Sequence, residues 1–330
     1  MWSMYKDAYK IARFTMYNKQ LKERFIQSYT KSDNSANKCK VIFDHFETFE
    51  NKWGADLCTR TAEDLQPAVD SIIGVRFKSQ ITQLIVIQKY IKWCVRNNIP
   101  GAIDDTKNIK EPGVEKIKTQ TVANPQQLQD FLNIVYDKEE ENTTDNIYRA
   151  FYWLAYSGIP ETYIMDITAD DVDFMNMRIT HKDVEVRIYG ESIPCLMRCV
   201  NSTQFTYKHP NYTTVRDRLS GNTIVRGVRG KSSIHNMRTI ISNRAKEKME
   251  KGLIDKNLSY YRVWMSGLFY RVYQDELRGI FPDFSFIVAK FVENRTYKLD
   301  KGRNTQDAKK RQLIQDYHRD YERWKFAHEL

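Results

Sequence analysis

The sequence predicts a mostly α-helical protein with a small β-sheet, an α+β chain organised in two units. Three observations lead to this fold class. Apolar residues recur at three- and four-residue steps through most of residues 1–100. A polar stretch containing Pro112 and Gly113 then interrupts this spacing. Residues 172–200 alternate like short strands, and helical spacing returns after them to about residue 280.

The first predicted unit, residues 1–105, is a bundle of about four helices preceded by an N-terminal helix. One helix should begin after Thr61, because Asp64 follows three residues later in a pattern close to a capping box. The next helix, RFKSQITQLIVIQKYIKWCVRNN, has a broad apolar face. Its first residues form a basic patch. Residues 106–123 lack apolar periodicity and are predicted to be a linker.

The second predicted unit, residues 124–330, opens with a helix entered through Pro125. After a loop, NIYRAFYWLAYSG predicts a helix that ends at Gly158, a residue that accepts positive φ. A short helix, ETYIMDI, should lead from there into the strands. At the C-terminal end, a charged helix places aromatic residues at three- and four-residue steps. It is expected to pack on its own domain.

The composition narrows the class of function. The net charge of +10 and the pI of about 9.1 are typical of proteins that bind a polyanion. No apolar run reaches the length of a membrane span, and the N-terminus lacks a signal-peptide core. Five scattered cysteines favour a reducing cytoplasm and predict neither a zinc site nor another cofactor.

Two motifs follow the glycine turn in a fixed order. SSIHNMRTIISNRA places His235 and Arg238 in an H-x-x-R pattern at a helix start, and YYRVWMSGLFYRVYQDE places Trp264 nine residues before Tyr273. With this order and spacing, residues 20–280 resemble the tyrosine recombinases, the phage-integrase family. The first unit is similar to the family's helical core-binding domain, and the second is similar to its catalytic domain.

The resemblance implies a role for each matching residue. Tyr273 would attack a DNA phosphate, Arg238 and His235 would contact its oxygens, and Trp264 would help to position it. Lys182, on a β-hairpin, would protonate the leaving oxygen. At the family's first arginine, however, this chain has Pro160. Losing one donor to the transition-state charge costs roughly 3–4 kcal/mol. We therefore expect the catalytic positions to be inactive.

DNA binding should survive that loss, because it sums over many phosphate contacts. Residues 211–245 contain seven basic residues and one acid, a net charge of +6. The residues predicted to contact DNA are Arg76, Lys78, Gln80, Gln83, Arg216, Arg218, Arg226, Arg229, Lys231, His235 and Arg238. Gln80 and Gln83 are expected to reach base edges, and the basic residues are expected to contact phosphates.

These features favour a regulator that binds double-stranded DNA without cutting it. The chain is also similar to the SPβ-type phage lytic-cycle repressors, which implies a repressor that maintains lysogeny and has no recombinase activity. Self-association on DNA is left open. Two alternatives remain: an active recombinase with a substitute for the missing cation, and an accessory factor that neither cuts nor represses. For a protein that does not cut, core packing is the favoured role of Trp264 and Tyr273.

Overall fold

A computed structural model describes residues 16–136, 143–209, 212–217, 222–227, 230–231, 233–288 and 306–330. The chain divides into two compact units, residues 1–116 and 117–330. Helices predominate and the sheets are small and antiparallel, so the predicted fold class is confirmed. The predicted linker, residues 106–123, spans the division and contains a short helix, α5 (Glu115–Lys118). The part of the predicted N-terminal helix before residue 16 lies outside the described residues.

The described residues of the first unit contain four long α-helices: α1 (Lys19–Tyr29), α2 (Asp33–Trp53), α3 (Ala62–Asp70) and α4 (Phe77–Arg96). The Thr61 hydroxyl accepts a hydrogen bond from the Asp64 amide at the start of α3, which confirms the predicted cap. Phe25, Phe43 and Tyr90 meet edge to face in the core, with ring centroids 5.0–5.9 Å apart.

A charged pair lies inside this bundle. Lys22 on α1 and Glu50 on α2 are bonded to each other, and both side chains are 0% exposed. Glu50 also accepts a hydrogen bond of 3.1 Å from the Leu57 amide. Burial raises the pKa of Glu50 to about 7, against the opposing attraction of Lys22.

The long α-helices among the described residues of the second unit are α6 (Pro125–Val135), α7 (Thr143–Ser157), α8 (Ile193–Asn201), α9 (Ile234–Glu250), α10 (Tyr260–Leu277) and α11 (Gln306–His328). Every residue of α7 is buried, so this helix forms the centre of the unit. Helix α10 packs directly against its end. A Cβ atom at Gly267 would lie 1.9 Å from the carbonyl oxygen of Tyr156, so only glycine permits this approach.

The strands in the described part of the chain form three small antiparallel sheets. The first joins β1 (Val172–Asp173), β2 (Arg178–His181) and β3 (Val184–Arg187). The second is a two-stranded ribbon of β4 (Gln204–His209) and β5 (Tyr212–Asp217). The third pairs β6 (Arg226–Gly227) with β7 (Gly230–Lys231).

Several local predictions for the second unit are wrong. Residues 161–166 form turns and not a continuous helix. The Pro160 carbonyl accepts the amides of Tyr163 and Ile164, and the Tyr163 carbonyl accepts those of Asp166 and Ile167. Residues 193–201, expected to be strand, form α8, with its apolar face built from Cys195, Leu196 and Cys199. Residues 143–146, expected to be loop, begin α7. The segment after residue 200 begins with the ribbon and not with a helix.

The C-terminal helix packs within its own unit, as predicted. Tyr321 and Trp324 on α11 are buried and lie with ring centroids 5.8 Å from that of Phe269. The Trp324 indole donates a hydrogen bond of 3.3 Å to the Val122 carbonyl. Within the described residues, no helix is both long enough and apolar enough to cross a membrane.

Candidate nucleic-acid interface

The glycine turn, residues 156–161, ends the central helix. Gly158 has φ of +102°, as predicted, and the amides of Gly158 and Ile159 bond back to the carbonyls of Ala155 and Leu154 at 3.0 Å. The Tyr260 hydroxyl, from the first turn of α10, donates to the Ile159 carbonyl at 2.7 Å. These bonds fix the position of Pro160 and of the residue after it.

That next residue, Glu161, binds Arg238 through two hydrogen bonds. Arg238 Nε donates to Glu161 Oε1 at 2.5 Å, and Arg238 Nη2 donates to Glu161 Oε2. The Arg238 side chain is 53% exposed and that of Glu161 is 25% exposed. The hydrogen bond to the carboxylate raises the pKa of Arg238. One edge of the guanidinium, which the resemblance assigns to a phosphate, is therefore bonded to the protein's own carboxylate.

A second cation stands beside the glycine turn. Arg271 on α10 donates from Nη1 to the Tyr156 carbonyl at 2.5 Å. A Cβ atom at Gly158 would lie 2.9 Å from Arg271 Nη2. Arg271 thus satisfies a carbonyl in the last turn of α7, where a positive charge also interacts favourably with the helix dipole. Neither Glu161 nor Arg271 was identified from the sequence.

Lys182 lies in the tight turn between β2 and β3, where its φ is +53°. Its Nζ is 3.6 Å from Asp166 Oδ2 and 4.5 Å from the ring centroid of Tyr163. Both partners belong to the turns that follow Pro160. The structure therefore brings the positions of Pro160, Lys182 and Arg238 to one segment, residues 160–167.

Of the other motif residues, His235 is exposed, whereas Trp264 and Tyr273 pack against aromatic rings. His235 is exposed in the first turn of α9. Trp264 is half-buried and stacks on Tyr261, with ring centroids 6.3 Å apart. Tyr273 is also half-buried, and its ring meets that of Trp324 at 6.4 Å in an edge-on contact.

The predicted DNA-contacting arginines of residues 211–245 differ in their exposure. Arg216 is exposed on β5. Arg226, in contrast, is buried, donates to the Ser202 carbonyl at 2.9 Å and has its pKa lowered by burial, so the prediction that it contacts DNA is wrong for this conformation. Arg244 is bonded to Asp145. Arg218 and Arg229 lie outside the described residues, as does the side chain of Lys231.

The basic patch of the first unit lies at the start of α4. Arg76 is the N-cap residue and makes no side-chain capping bond, and no acid occupies the first turn. Lys78 is exposed. Cations at a helix N-terminus oppose the helix dipole, so neither residue stabilises α4 through the dipole.

The side chains of the two glutamines predicted to reach base edges form hydrogen bonds with the loop before α4. Gln80 is 0% exposed, and its amide donates to the Ile72 carbonyl at 3.2 Å. A fully buried amide cannot meet a base, so the prediction for Gln80 is wrong. Gln83 is half-buried and donates to the Ile73 carbonyl at 2.9 Å. Both amides hold the loop that precedes the helix.

No group of three or more His, Cys, Asp or Glu side chains in the described part of the chain is arranged to hold a metal ion. Lys78 is an exposed cation of the first unit, and Arg216 and Arg238 are exposed cations of the second unit.

Comparison with known protein families gives a match within the first unit. Residues 16–96 match the family model described as MrpR, N-terminal core-binding domain. No curated protein sequence matches the chain.

Solved structures give distant matches. XerA recombinase is 13% identical, with 91% of this chain and 98% of that chain covered and a TM-score of 0.36. The Tn1549 transposon integrase in complex with circular intermediate DNA is 12% identical, with coverages of 91% and 99% and a TM-score of 0.35. The same integrase with transposon right end DNA is 11% identical, with coverages of 90% and 98% and a TM-score of 0.36. At these scores the likeness carries no argument about activity.

Proposed function

We propose that the protein binds double-stranded DNA as a transcriptional regulator and does not cut it. The finer form of the proposal is a repressor similar to the SPβ-type phage lytic-cycle repressors. The observation that carries the proposal is the bidentate pairing of Arg238 with Glu161, directly after Pro160 in the glycine turn.

Two independent features of the glycine turn disfavour DNA cleavage: the missing arginine at Pro160 and the carboxylate of Glu161. Pro160 offers no donor where the recombinase resemblance expects an arginine, a loss of roughly 3–4 kcal/mol of transition-state stabilisation. Glu161 then places a carboxylate at the remaining arginine. A phosphate approaching Arg238 must displace that carboxylate or lie beside it, and its developing negative charge is repelled in either case.

DNA binding draws on further groups besides Arg238. The match of residues 16–96 to a core-binding domain supports a DNA-binding role for the first unit. Arg76 and Lys78 at the start of α4, and Arg216 on β5, are the described cations best placed for phosphates. We include Arg218, Arg229 and Lys231 in the proposed interface because the sequence groups them with Arg216. Self-association on DNA also belongs to this proposal.

An active recombinase is the second candidate. Arg271 favours it, because its guanidinium stands at the glycine turn and lies two residues before Tyr273. For catalysis, Arg271 would have to leave the Tyr156 carbonyl. That exchange would expose an unsatisfied carbonyl in the last turn of the central helix, at a cost of about 1–3 kcal/mol.

The salt dependence of DNA binding tests the proposal. Affinity of the full chain for duplex DNA, measured at several salt concentrations, should fall steeply, because each neutralised phosphate contributes about 0.9 to the logarithmic slope. Lys78→Ala should reduce that slope by about one. The matched control, Arg311→Ala, removes an exposed charge from α11 and should leave the slope unchanged. Absence of binding to duplex DNA at low salt would eliminate both the regulator and the recombinase.

A further inference from the structure

Strands β4 and β5 pair with each other and with no other described strand. They form a two-stranded sheet, the β4–β5 ribbon, with six paired residues on each strand, from Gln204 opposite Asp217 to His209 opposite Tyr212. An isolated two-stranded ribbon is only marginally stable in water. Something other than strand pairing must therefore hold this one in place.

The base of the ribbon is anchored to the buried core. The hydroxyls of Thr143 and Thr144, in the first turn of α7, donate to the carbonyls of Gln204 and Thr206 at 3.1 and 3.2 Å. Arg226 donates to the Ser202 carbonyl just before β4. These contacts all act on β4 or on Ser202, two residues before it, so β4 is the inner strand.

Strand β5 is the outer strand and is accessible on both faces. Successive side chains of a strand point to opposite sides, so Tyr212 and Arg216 share one face and Thr213 and Val215 share the other. All four residues are exposed, with Tyr212 at 59% and Val215 at 54%. Exposed apolar side chains on an outer strand are an aggregation hazard that soluble proteins normally avoid or cover.

The net positive charge of the sequence around the ribbon favours a negatively charged partner. Residues 192–246 contain ten lysines and arginines and a single acid, Asp217. A second copy of the chain would bring the same positive charge against this strand, which disfavours strand-to-strand pairing between copies. A polyanion meets no such repulsion. A two-stranded ribbon also has the width that the major groove of duplex DNA admits.

We infer that the ribbon is a DNA-contacting element and that β5 is the strand that faces the duplex. Arg216 and the hydroxyls of Tyr212 and Thr213 donate to phosphate oxygens, and Val215 makes apolar contact in the groove. This inference rests on the proposed DNA binding and adds the surface that performs it. It also gives Arg226 a structural role, because its buried guanidinium supports the base of the ribbon.

A charge series at one exposed position tests the inference. Val215→Lys, Val215→Gln and Val215→Glu change the charge at a side chain whose removal leaves no cavity. For the full chain, affinity for duplex DNA should decrease in that order. The lysine and glutamate variants should differ about tenfold or more, and the lysine variant should have the steeper salt dependence.

The same three substitutions at Met175, between β1 and β2, are the control. Met175 is 95% exposed, so the series changes the net charge identically at a different surface. Less than a twofold spread is expected there. If wild type binds DNA but the two series behave alike, the ribbon is not at the duplex, although the proposed function stands.

Two further outcomes are decisive. If wild type fails to bind DNA at low salt, the proposed function and the inference fall together. If Val215→Lys lowers the molecular mass of the free protein in analytical ultracentrifugation without changing DNA affinity, the occupant of β5 is a second copy. That result would overturn the inference.

Discussion

Each unit of the protein contains a cation–glutamate pair, and the two pairs differ in their surroundings. Lys22–Glu50 lies inside the helical bundle with both side chains 0% exposed. Arg238–Glu161 lies at the glycine turn with both side chains partly exposed. Burial makes each member of the first pair indispensable to the other, because a buried donor or acceptor that loses its partner is costly. Exposure leaves the second pair open to competition from another anion.

Of the substitutions in the two pairs, the removal of Glu50 should have the largest effect on the free energy of unfolding. Glu50→Ala removes the carboxyl oxygens that accept hydrogen bonds from Lys22 and from the Leu57 amide, so two buried donors lose their acceptor and the free energy of unfolding should fall by about 3–5 kcal/mol. Urea unfolding of the full chain, followed by far-UV circular dichroism, measures this change. Glu23→Ala removes a partner of Lys19, 3.9 Å away on the surface of α1, and should cost about 0.5 kcal/mol or less. Similar losses in the two variants would mean that burial does not distinguish the pairs.

The buried pair should also make stability depend on pH. The folded-state pKa of Glu50 is about 7, whereas its ordinary value is 4.5. Because the folded state binds this proton more tightly, the stability that it contributes is complete below pH 4.5 and is lost as pH rises towards 7. The loss is at most about 3 kcal/mol. Unfolding curves at pH 4.5, 6 and 7.5 measure it.

Glu50→Gln, which cannot ionise, is the matched control for that dependence. Its stability should vary less with pH across this interval than that of wild type. An unchanged pH profile in Glu50→Gln would assign the dependence to other groups.

The exposed pair should affect DNA binding instead of folding. Glu161→Gln removes a negative charge beside Arg238 and should raise affinity for duplex DNA roughly tenfold. Arg238→Ala should lower it by about 1–3 kcal/mol, equally for operator and random DNA, because phosphate contacts carry no base information. Titrations of the two single variants and of the double variant form a thermodynamic cycle.

In that cycle, the change in binding free energy of the double variant should differ from the sum of the two single changes, because the ion pair couples the two residues. Additive effects of the two substitutions would show that Glu161 and Arg238 do not act on each other in solution. Neither substitution should change the free energy of unfolding by more than about 1 kcal/mol, because both side chains are partly exposed.

The smallest effect is expected at Tyr273. Its ring packs edge-on against Trp324, and Tyr273→Phe keeps that ring. DNA affinity and repression should therefore stay at the wild-type level. A loss of binding above about twofold would indicate that the hydroxyl contacts DNA directly.

The sequence was most informative where local rules act. Gly158 and Thr61 could be assigned because a positive-φ turn and a helix cap depend on one or two residues. Helix α8 was missed because its short apolar run fits a strand or a helix equally well. The ribbon was also missed, although the Thr-, Tyr- and Val-rich runs on either side of Pro210 and Asn211 are a recognisable hairpin signal.

The site itself could be predicted only in part. Pro160 marks the lost cation from sequence alone, since one residue type replaces another at a motif position. The pairing of Arg238 with Glu161 joins residues 77 positions apart and requires the fold to bring α9 to the glycine turn. The burial of Gln80 and Arg226 likewise depends on loop and ribbon contacts that no local pattern records.

Covalent trapping on a suicide DNA substrate tests most directly whether this protein holds DNA without cutting it. The full chain is incubated with a nicked duplex, and one sample is divided between a native gel and a denaturing gel. We predict a shifted complex on the native gel and no protein–DNA adduct on the denaturing gel. An adduct that forms with wild type and disappears with Tyr273→Phe would contradict the proposal and establish an active recombinase.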